Sequence, residues 1–398
     1  MLPLDPATRA AQLVDRIAEL ERVKAAAAAE QAHAAVLLDR ARREEEAANG
    51  VPRGRQGAGV ATEIALARQD SPARGSRHLG FAKALVNEMP HTLAALECGA
   101  LSEWRATILV RETAYLAVED RQKIDVEMCA ETSRLRGLGD ARLAAEAKRL
   151  AYRLDAQAVV RRARRAESER RVSFRPAPDT MTYLTALLPV KQGVAVYAAL
   201  KRTADASMDS VRGQGQIMAD TLVERVTGVP GAAAVPVGVN ITVSDEALLG
   251  GGDEPATIAG YGPVPAAVAR RLISEAVSAE AKVLVRRLYR RCATGALVKA
   301  ESRSRLFPKG LAELIDLRDQ ICRTPYCDAP IRHHDHVVGS MRGGPTTLDN
   351  GQGLCERCNY VKETTGWNVA PVPGTDRHTV EFTTPTGTAY RSTAPPLP

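Results

Sequence analysis

The feature that most constrains this 398-residue chain lies near its C-terminal end, where two cysteine pairs stand close together. Cys322 and Cys327 are separated by four residues, Cys355 and Cys358 by two, and 27 residues lie between the pairs. Each short spacing lets the chain turn back and set two thiolates on one tetrahedral ion. Four thiolates close a zinc shell, so the expected Zn²⁺ is structural, holding a module too small to be stable on its own core. This reading assumes a reducing compartment, where paired spacings indicate metal ligation sooner than disulfides. Cys98, Cys129 and Cys292 are scattered and read as small buried hydrophobes.

The start of the chain agrees with that compartment. Residues Met1 to Ala10 carry Asp5 and Arg9 and lack the apolar run of a signal peptide. The longest uncharged run, Val226 to Ser244, is broken by Gly228, Pro230, Gly231, Pro236 and Gly238, which makes it a poor membrane span. A cytoplasmic protein with no membrane partner is expected.

Between the cysteine pairs stand His333, His334, Asp335 and His336. On a strand, His334 and His336 point one way and His333 and Asp335 the other, unless a bulge or strand end re-aims them. A histidine cluster alone is as compatible with a structural role as with a functional one. The residues that follow carry more weight: Asn350, Asn359 and Lys362, the last two on one helix face. These are the parts of a phosphodiesterase site. Asp335 and Asn359 offer oxygen ligands to a catalytic Mg²⁺ or Mn²⁺ and leave positions open for phosphate oxygens and water. His336 is the expected base that takes a proton from the attacking water. Asn350 is expected to tie down the loop turned by Gly343, Gly344 and Pro345 and to orient the His ring, and Lys362 to contact a phosphate.

The segment from Cys322 to Lys362, through Asp335, His336, Gly343, Gly344, Thr346, Asn350, Leu354, Cys355, Cys358 and Asn359, resembles the HNH endonuclease motif, the ββα-metal finger, set in a four-cysteine frame. The stretches VSFRPAPDTMTYLTALLP, GQGQIMADTLVERVTG, IAGYGPVP and SRSRLFPKGLAELIDLRDQICRTPYCDAPI resemble the actinobacterial repeat-family proteins that place a helical domain of unknown function ahead of an HNH nuclease. The resemblance covers about Ala61 to Trp367 and implies DNA cleavage leaving 3′-hydroxyl and 5′-phosphate ends. It implies no defined activity for the upstream domain. Where some members carry His at the third motif position this chain has Asn359, a neutral and weaker ligand.

The expected fold is α+β: a mainly α-helical N-terminal domain with a small β-containing middle, then a C-terminal zinc-framed ββα-metal HNH domain. Residues 1–48 read as one long helix, with Leu13, Ile17, Leu20 and Val23 on one stripe; a homodimer through this helix is one partner expectation. Residues 49–60 form a Gly-rich mobile linker, 61–300 the helical domain, 301–370 the nuclease domain and 371–398 an irregular Pro- and Thr-rich tail. Within the helical domain, Arg171 to Leu188 and Lys282 to Ala300 read as hairpins, and Val235 to Val243 as a strand.

The net charge of +7 matters because it is concentrated. Ala141 to Arg175 holds eleven basic and four acidic residues, and Lys282 to Arg305 eight and one. Arg161, Arg162, Arg164 and Arg165 are the candidate contacts to DNA phosphates; the alternative is a solvated helix face with Glu167 and Glu169 as partners. Aromatics make up only 4% of the chain, which argues against a base-stacking platform. Two rival readings stay open: a zinc-stabilised DNA-binding module without turnover, and an interaction protein in which the long helix dimerises and the helical domain docks another protein.

Overall fold

The computed structural model describes residues 6–207, 211–229, 239–278, 301–302 and 306–397. The hairpin expected at Lys282 to Ala300 and most of the second basic stretch lie outside the described residues.

Eight helices open the chain: α1 (Pro6–Ala48), α2 (Val60–Ala67), α3 (Pro72–Glu88), α4 (Pro90–Glu97), α5 (Glu103–Thr113), α6 (Val118–Cys129), α7 (Asp140–Leu154) and α8 (Ala156–Ser168). The long first helix is as expected, but its packing face is not. Ala25, Ala28, Ala29, Ala32, Ala35 and Val36, spaced three and four apart, are buried with Val60, Ile64, Leu85, Leu93 and Leu96 of α2 to α4. Small side chains let the helix axes approach closely, so the bland alanine stretch forms the interface. Leu13, Ile17, Leu20 and Val23 are exposed. The segment after α1 makes hydrogen bonds of its own: Gly57 N–H donates to the Glu46 carboxylate at 2.6 Å and Gln56 Nε2 to Val51 O at 2.8 Å.

A second core joins α4 to α8 around Met89, Leu109, Ile124, Leu143 and Leu150. Ser102 caps α5 by accepting from Arg105 N–H. Thr92 lies inside α4, which begins at Pro90. The start of α4 is held by the fully buried Asp125 of α6. Its Oδ2 accepts from His91 N–H at 2.7 Å, and its Oδ1 accepts from Thr92 N–H at 2.7 Å and the Thr92 hydroxyl at 2.6 Å. Asp125→Ala removes the acceptor of three hydrogen bonds, two of them buried, and is expected to destabilise the helical region by about 2–4 kcal/mol. Urea denaturation followed by far-UV circular dichroism measures this; an unchanged midpoint would contradict it.

The middle begins with the expected hairpin, β1 (Arg171–Ala177) paired antiparallel with β2 (Met181–Leu187) from Arg171↔Leu187 to Ala177↔Met181. Helices α9 (Val190–Asp205) and α10 (Gln214–Thr227) follow. The strand expected over Val235 to Val243 is described only from residue 239, where β3 (Ile241–Thr242) pairs. After α11 (Asp245–Leu249), β4 (Ala256–Ile258) and β5 (Gly262–Val264) complete an antiparallel sheet of order β3-β4-β5, and α12 (Ala266–Ser278) packs on it through Ala269.

The C-terminal module starts with β6 (Glu301–Ser302) and α13 (Lys309–Asp319). Strand β7 (His333–His336), β8 (Thr346–Thr347) and β9 (Gly351–Leu354) come next, with β7 paired to β9 and β8 to β6. Helix α14 (Glu356–Lys362) closes the ββα unit. The tail is not irregular: β10 (Asn368–Pro371), β11 (Thr379–Thr383) and β12 (Ala389–Thr393) form an antiparallel sheet of order β10-β11-β12. Val380 and Phe382, two apart on one face of β11, are buried against Val337, Leu354 and the cysteines. The Thr- and Pro-rich composition concealed that short alternation.

The module docks on the helical domain at two places. On α14, Arg357 Nη1 donates to Ser76 Oγ at 2.8 Å and Pro72 O at 3.3 Å on α3. At the β11–β12 turn, the Thr386 N–H and hydroxyl both donate to the Glu63 carboxylate on α2, which also pairs with Arg42 of α1.

Candidate active site and metal clamp

The four paired cysteines converge. Their sulfurs all lie within 4.8 Å of one another, with Cys327 Sγ 3.9 Å from Cys355 Sγ and 3.7 Å from Cys358 Sγ. Four sulfurs at roughly 2.3 Å from a zinc ion occupy a tetrahedron with edges of about 3.8 Å. The backbone builds this arrangement from a knuckle in which Cys322 N–H donates to Ala329 O at 2.9 Å, and from Cys355 at the start of α14 with Cys358 one turn on. Hydrogen bonding to Cys322 comes first both in lifting Cys358 and Cys327 well above the ordinary thiol value and in drawing Cys355 well below it. A cation among them is what lets all four ionise.

Beside the clamp, β7 and β9 are in antiparallel register, His333↔Leu354 to His336↔Gly351. Asn350 hydrogen-bonds across the intervening loop. Its Oδ1 accepts from Val338 N–H at 2.9 Å, while Nδ2 donates to Val338 O at 3.1 Å and Pro345 O at 2.8 Å. Gly344 is required in this loop because a Cβ there would sit 1.8 Å from Val338 O. Asn350 does not orient the His336 ring, however. That falls to Thr346, whose Oγ1 lies 2.9 Å from His336 Nε2, and to Phe307, whose ring centroid is 4.6 Å from that of His336.

Asp335 and His336 leave opposite faces of β7, as alternation requires. The buried His336 ring turns toward Thr346 and Phe307, at the last residue of the strand. Asp335 turns toward α14, where its Oδ2 meets Lys362 Nζ at 2.5 Å. Lys362, expected to contact a phosphate, is instead buried, and its Nζ also donates to His336 O at 2.8 Å. The physical reason is its position one turn after Asn359, on the flank of α14 that packs against β7. Asn359 Oδ1 is buried with no hydrogen-bond partner, whereas Asp335 Oδ2 is held by the Lys362 ammonium. An anionic and a neutral oxygen are the atom types that a hard divalent cation takes.

Behind the hairpin lies a buried ionic network that sequence reasoning missed. Arg318 and Asp319 of α13 pair at 2.7 Å; Arg318 donates to Leu348 O and Gly351 O, and Asp319 Oδ2 accepts from Gly353 N–H at 2.7 Å. These contacts fix β9 against α13. Adjacent charges at a helix end look like a solvated terminus, so the sequence carried no signal for them. Thr346 had one: it follows Gly343, Gly344 and Pro345, a reversal that returns the chain to the hairpin.

His378 Nε2 lies 3.0 Å from Asp349 O, so Nε2 carries the proton and donates. Burial first, and then the Arg318 guanidinium, push its pKa down to about 3 from 6.5. The folded ring therefore stays neutral where the unfolded one takes up a proton. This site's contribution to stability is complete above pH 6.5 and is lost progressively as the pH falls from there toward about 3. Thermal unfolding across that window should show a shallower acid decline in His378→Gln; equal slopes would contradict it.

The four arginines of α8 divide. Arg161 pairs with Asp155 at 3.3 Å, and Arg162 grips Glu169 at 2.7 and 3.2 Å. Arg164 and Arg165 are exposed, with no ion-pair partner among the described residues. No described helix is long and apolar enough to cross a membrane.

A family model for a domain of unknown function, DUF222, matches residues 17–319, well over half of the chain. The chain belongs to the DUF222 family. Its DUF222 region is followed by a match to the HNH endonuclease family over residues 322–365, the stretch that holds the clamp, β7, β9 and α14. The HNH match supports a nuclease or DNA-binding role in general, with nucleic acid as the partner. No curated protein and no solved structure matches the chain.

Proposed function

We propose that this DUF222 protein is a metal-dependent DNA endonuclease in which the cysteine clamp holds a structural Zn²⁺ and Asp335 and Asn359 hold a catalytic Mg²⁺ or Mn²⁺. The observation that carries the reading is the buried Asn359 Oδ1 without a hydrogen-bond partner, together with an Asp335 carboxylate held by the Lys362 ammonium, inside the HNH-matched stretch. When bound, such a cation polarises the phosphate and stabilises the leaving oxygen. His336 takes the proton of the attacking water, with Thr346 and Phe307 fixing its ring. Because β7 ends at His336, a phosphate lying across that end is the arrangement that serves Asp335 from one face and His336 from the other. Asn350 acts by holding the loop, not by touching substrate. Arg164 and Arg165 are the cations on α8 best suited to duplex phosphates.

Two observations favour a second reading. The His336 ring is buried and Asp335 is already paired with Lys362, which also suits a zinc-framed DNA-binding module without turnover. A plasmid assay over Mg²⁺, Mn²⁺, Ca²⁺ and Zn²⁺ separates the two. Nicking that needs Mg²⁺ or Mn²⁺ supports the nuclease; duplex binding without cleavage under any of the ions supports the binder.

A further inference from the structure

Lys362 is the cation that the site does not obviously need. Its side chain is 2% exposed and its ammonium touches three oxygens: Asp335 Oδ2 at 2.5 Å, His336 O at 2.8 Å and Glu363 Oε1 at 3.0 Å. Glu363 is largely exposed, so its pairing with the ammonium contributes little. Apart from Glu363, the groups here are the half-buried Asp335 carboxylate, the buried ammonium and the half-buried Asn359 amide, which together carry no net charge. Sites that take up a hard divalent cation unaided usually gather several carboxylates. Here the single carboxylate is shared with an ammonium before any ion arrives, while the Asn359 oxygen has no partner.

We propose that Lys362 is a positioning residue that occupies Asp335 in the free protein, so that a divalent cation binds at Asp335 and Asn359 only together with a nucleic-acid phosphate. The inference rests on the metal site of the proposed function and adds a binding order to it. A phosphodiester supplies the negative charge the site lacks and offers the ammonium another anion. Cation and DNA then raise each other's affinity by one and the same factor, as linkage requires. The contact to His336 O keeps Lys362 on β7 while its partner changes, because the strand carbonyl has no charge to lose.

The test uses the zinc-loaded full chain. Mn²⁺ is the probe because the hard ion leaves the cysteine clamp to zinc, and its electron paramagnetic resonance signal reports the free ion directly. Wild type alone should bind Mn²⁺ weakly. Lys362→Met should bind it about tenfold more tightly without DNA, and Lys362→Arg should return to weak binding. In fluorescence anisotropy on a short duplex, Mn²⁺ should tighten wild-type binding by about tenfold, and Asp335→Asn should remove that gain. Lys362→Met protein that keeps its zinc yet binds Mn²⁺ no more tightly than wild type overturns the proposal. Should Lys362→Met fail to fold, wild-type duplex affinity that ignores Mn²⁺ overturns it equally. Absence of cleavage with these shifts present would sink the nuclease reading and leave the binding order standing.

Discussion

Cys358→Ser is expected to remove the whole C-terminal module from the folded state. The sulfurs share one small apolar cluster with Val337, Leu354, Val369, Val380 and Phe382, which joins the β7–β9 hairpin to the terminal sheet. So small a core cannot by itself order the long turns between its strands. A structural zinc ion contributes about 10–16 kcal/mol in small metal-stapled folds, comparable to or larger than the whole stability of an ordinary domain. Loss of one thiolate leaves three and opens the shell. The variant should carry almost no zinc, and residues 306–397 should become protease-sensitive while α1 to α8 remain folded. Wild type treated with a strong chelator should behave alike. A Cys358→Ser protein that retained its zinc and melted as wild type does would show that something else holds the module.

His336→Ala carries the largest expected effect on activity, a loss of about 10²–10⁴-fold in nicking rate, the usual contribution of a positioned general base. Duplex affinity should hardly change, since no phosphate contact is assigned to that ring. Thr346→Val should give a smaller loss, about tenfold, because it removes one hydrogen bond of roughly 1 kcal/mol and frees the imidazole to turn. Plasmid nicking under saturating Mg²⁺ measures both. Wild-type rates in His336→Ala would mean that the proton is taken elsewhere, and the assignment would fall.

Much of the candidate site was legible because it depends on spacing along the chain. Two short cysteine pairs can turn back on one ion whatever surrounds them, and here they meet within 4.8 Å. The hairpin, the loop held by Asn350 and the helix that starts at Cys355 follow from the same local logic. What was not legible involves partners far away in sequence. Thr346 reaches His336 across a loop, Arg318 and Asp319 grip β9 from some thirty residues upstream, and Lys362 closes on Asp335 from the next helix. The same holds in the helical domain, where the alanines of α1 lie against α2 to α4 and the larger Leu13, Ile17 and Leu20 stay exposed.

The sequence by itself determined the kind of protein: helices ahead of a cysteine-framed ββα unit, with an acid, an imidazole and a carboxamide at workable intervals. Ligand spacing and helical periodicity are properties of a few consecutive turns, and the order of residues specifies them. Only the tertiary structure decided which charges stand next to one another. It paired Lys362 with Asp335, set two of the α8 arginines beside carboxylates, and folded a Thr-rich tail into the sheet beneath the clamp. The reason is that burial makes a charge's partner matter far more than its place in the chain, and the partner is chosen by how whole elements pack.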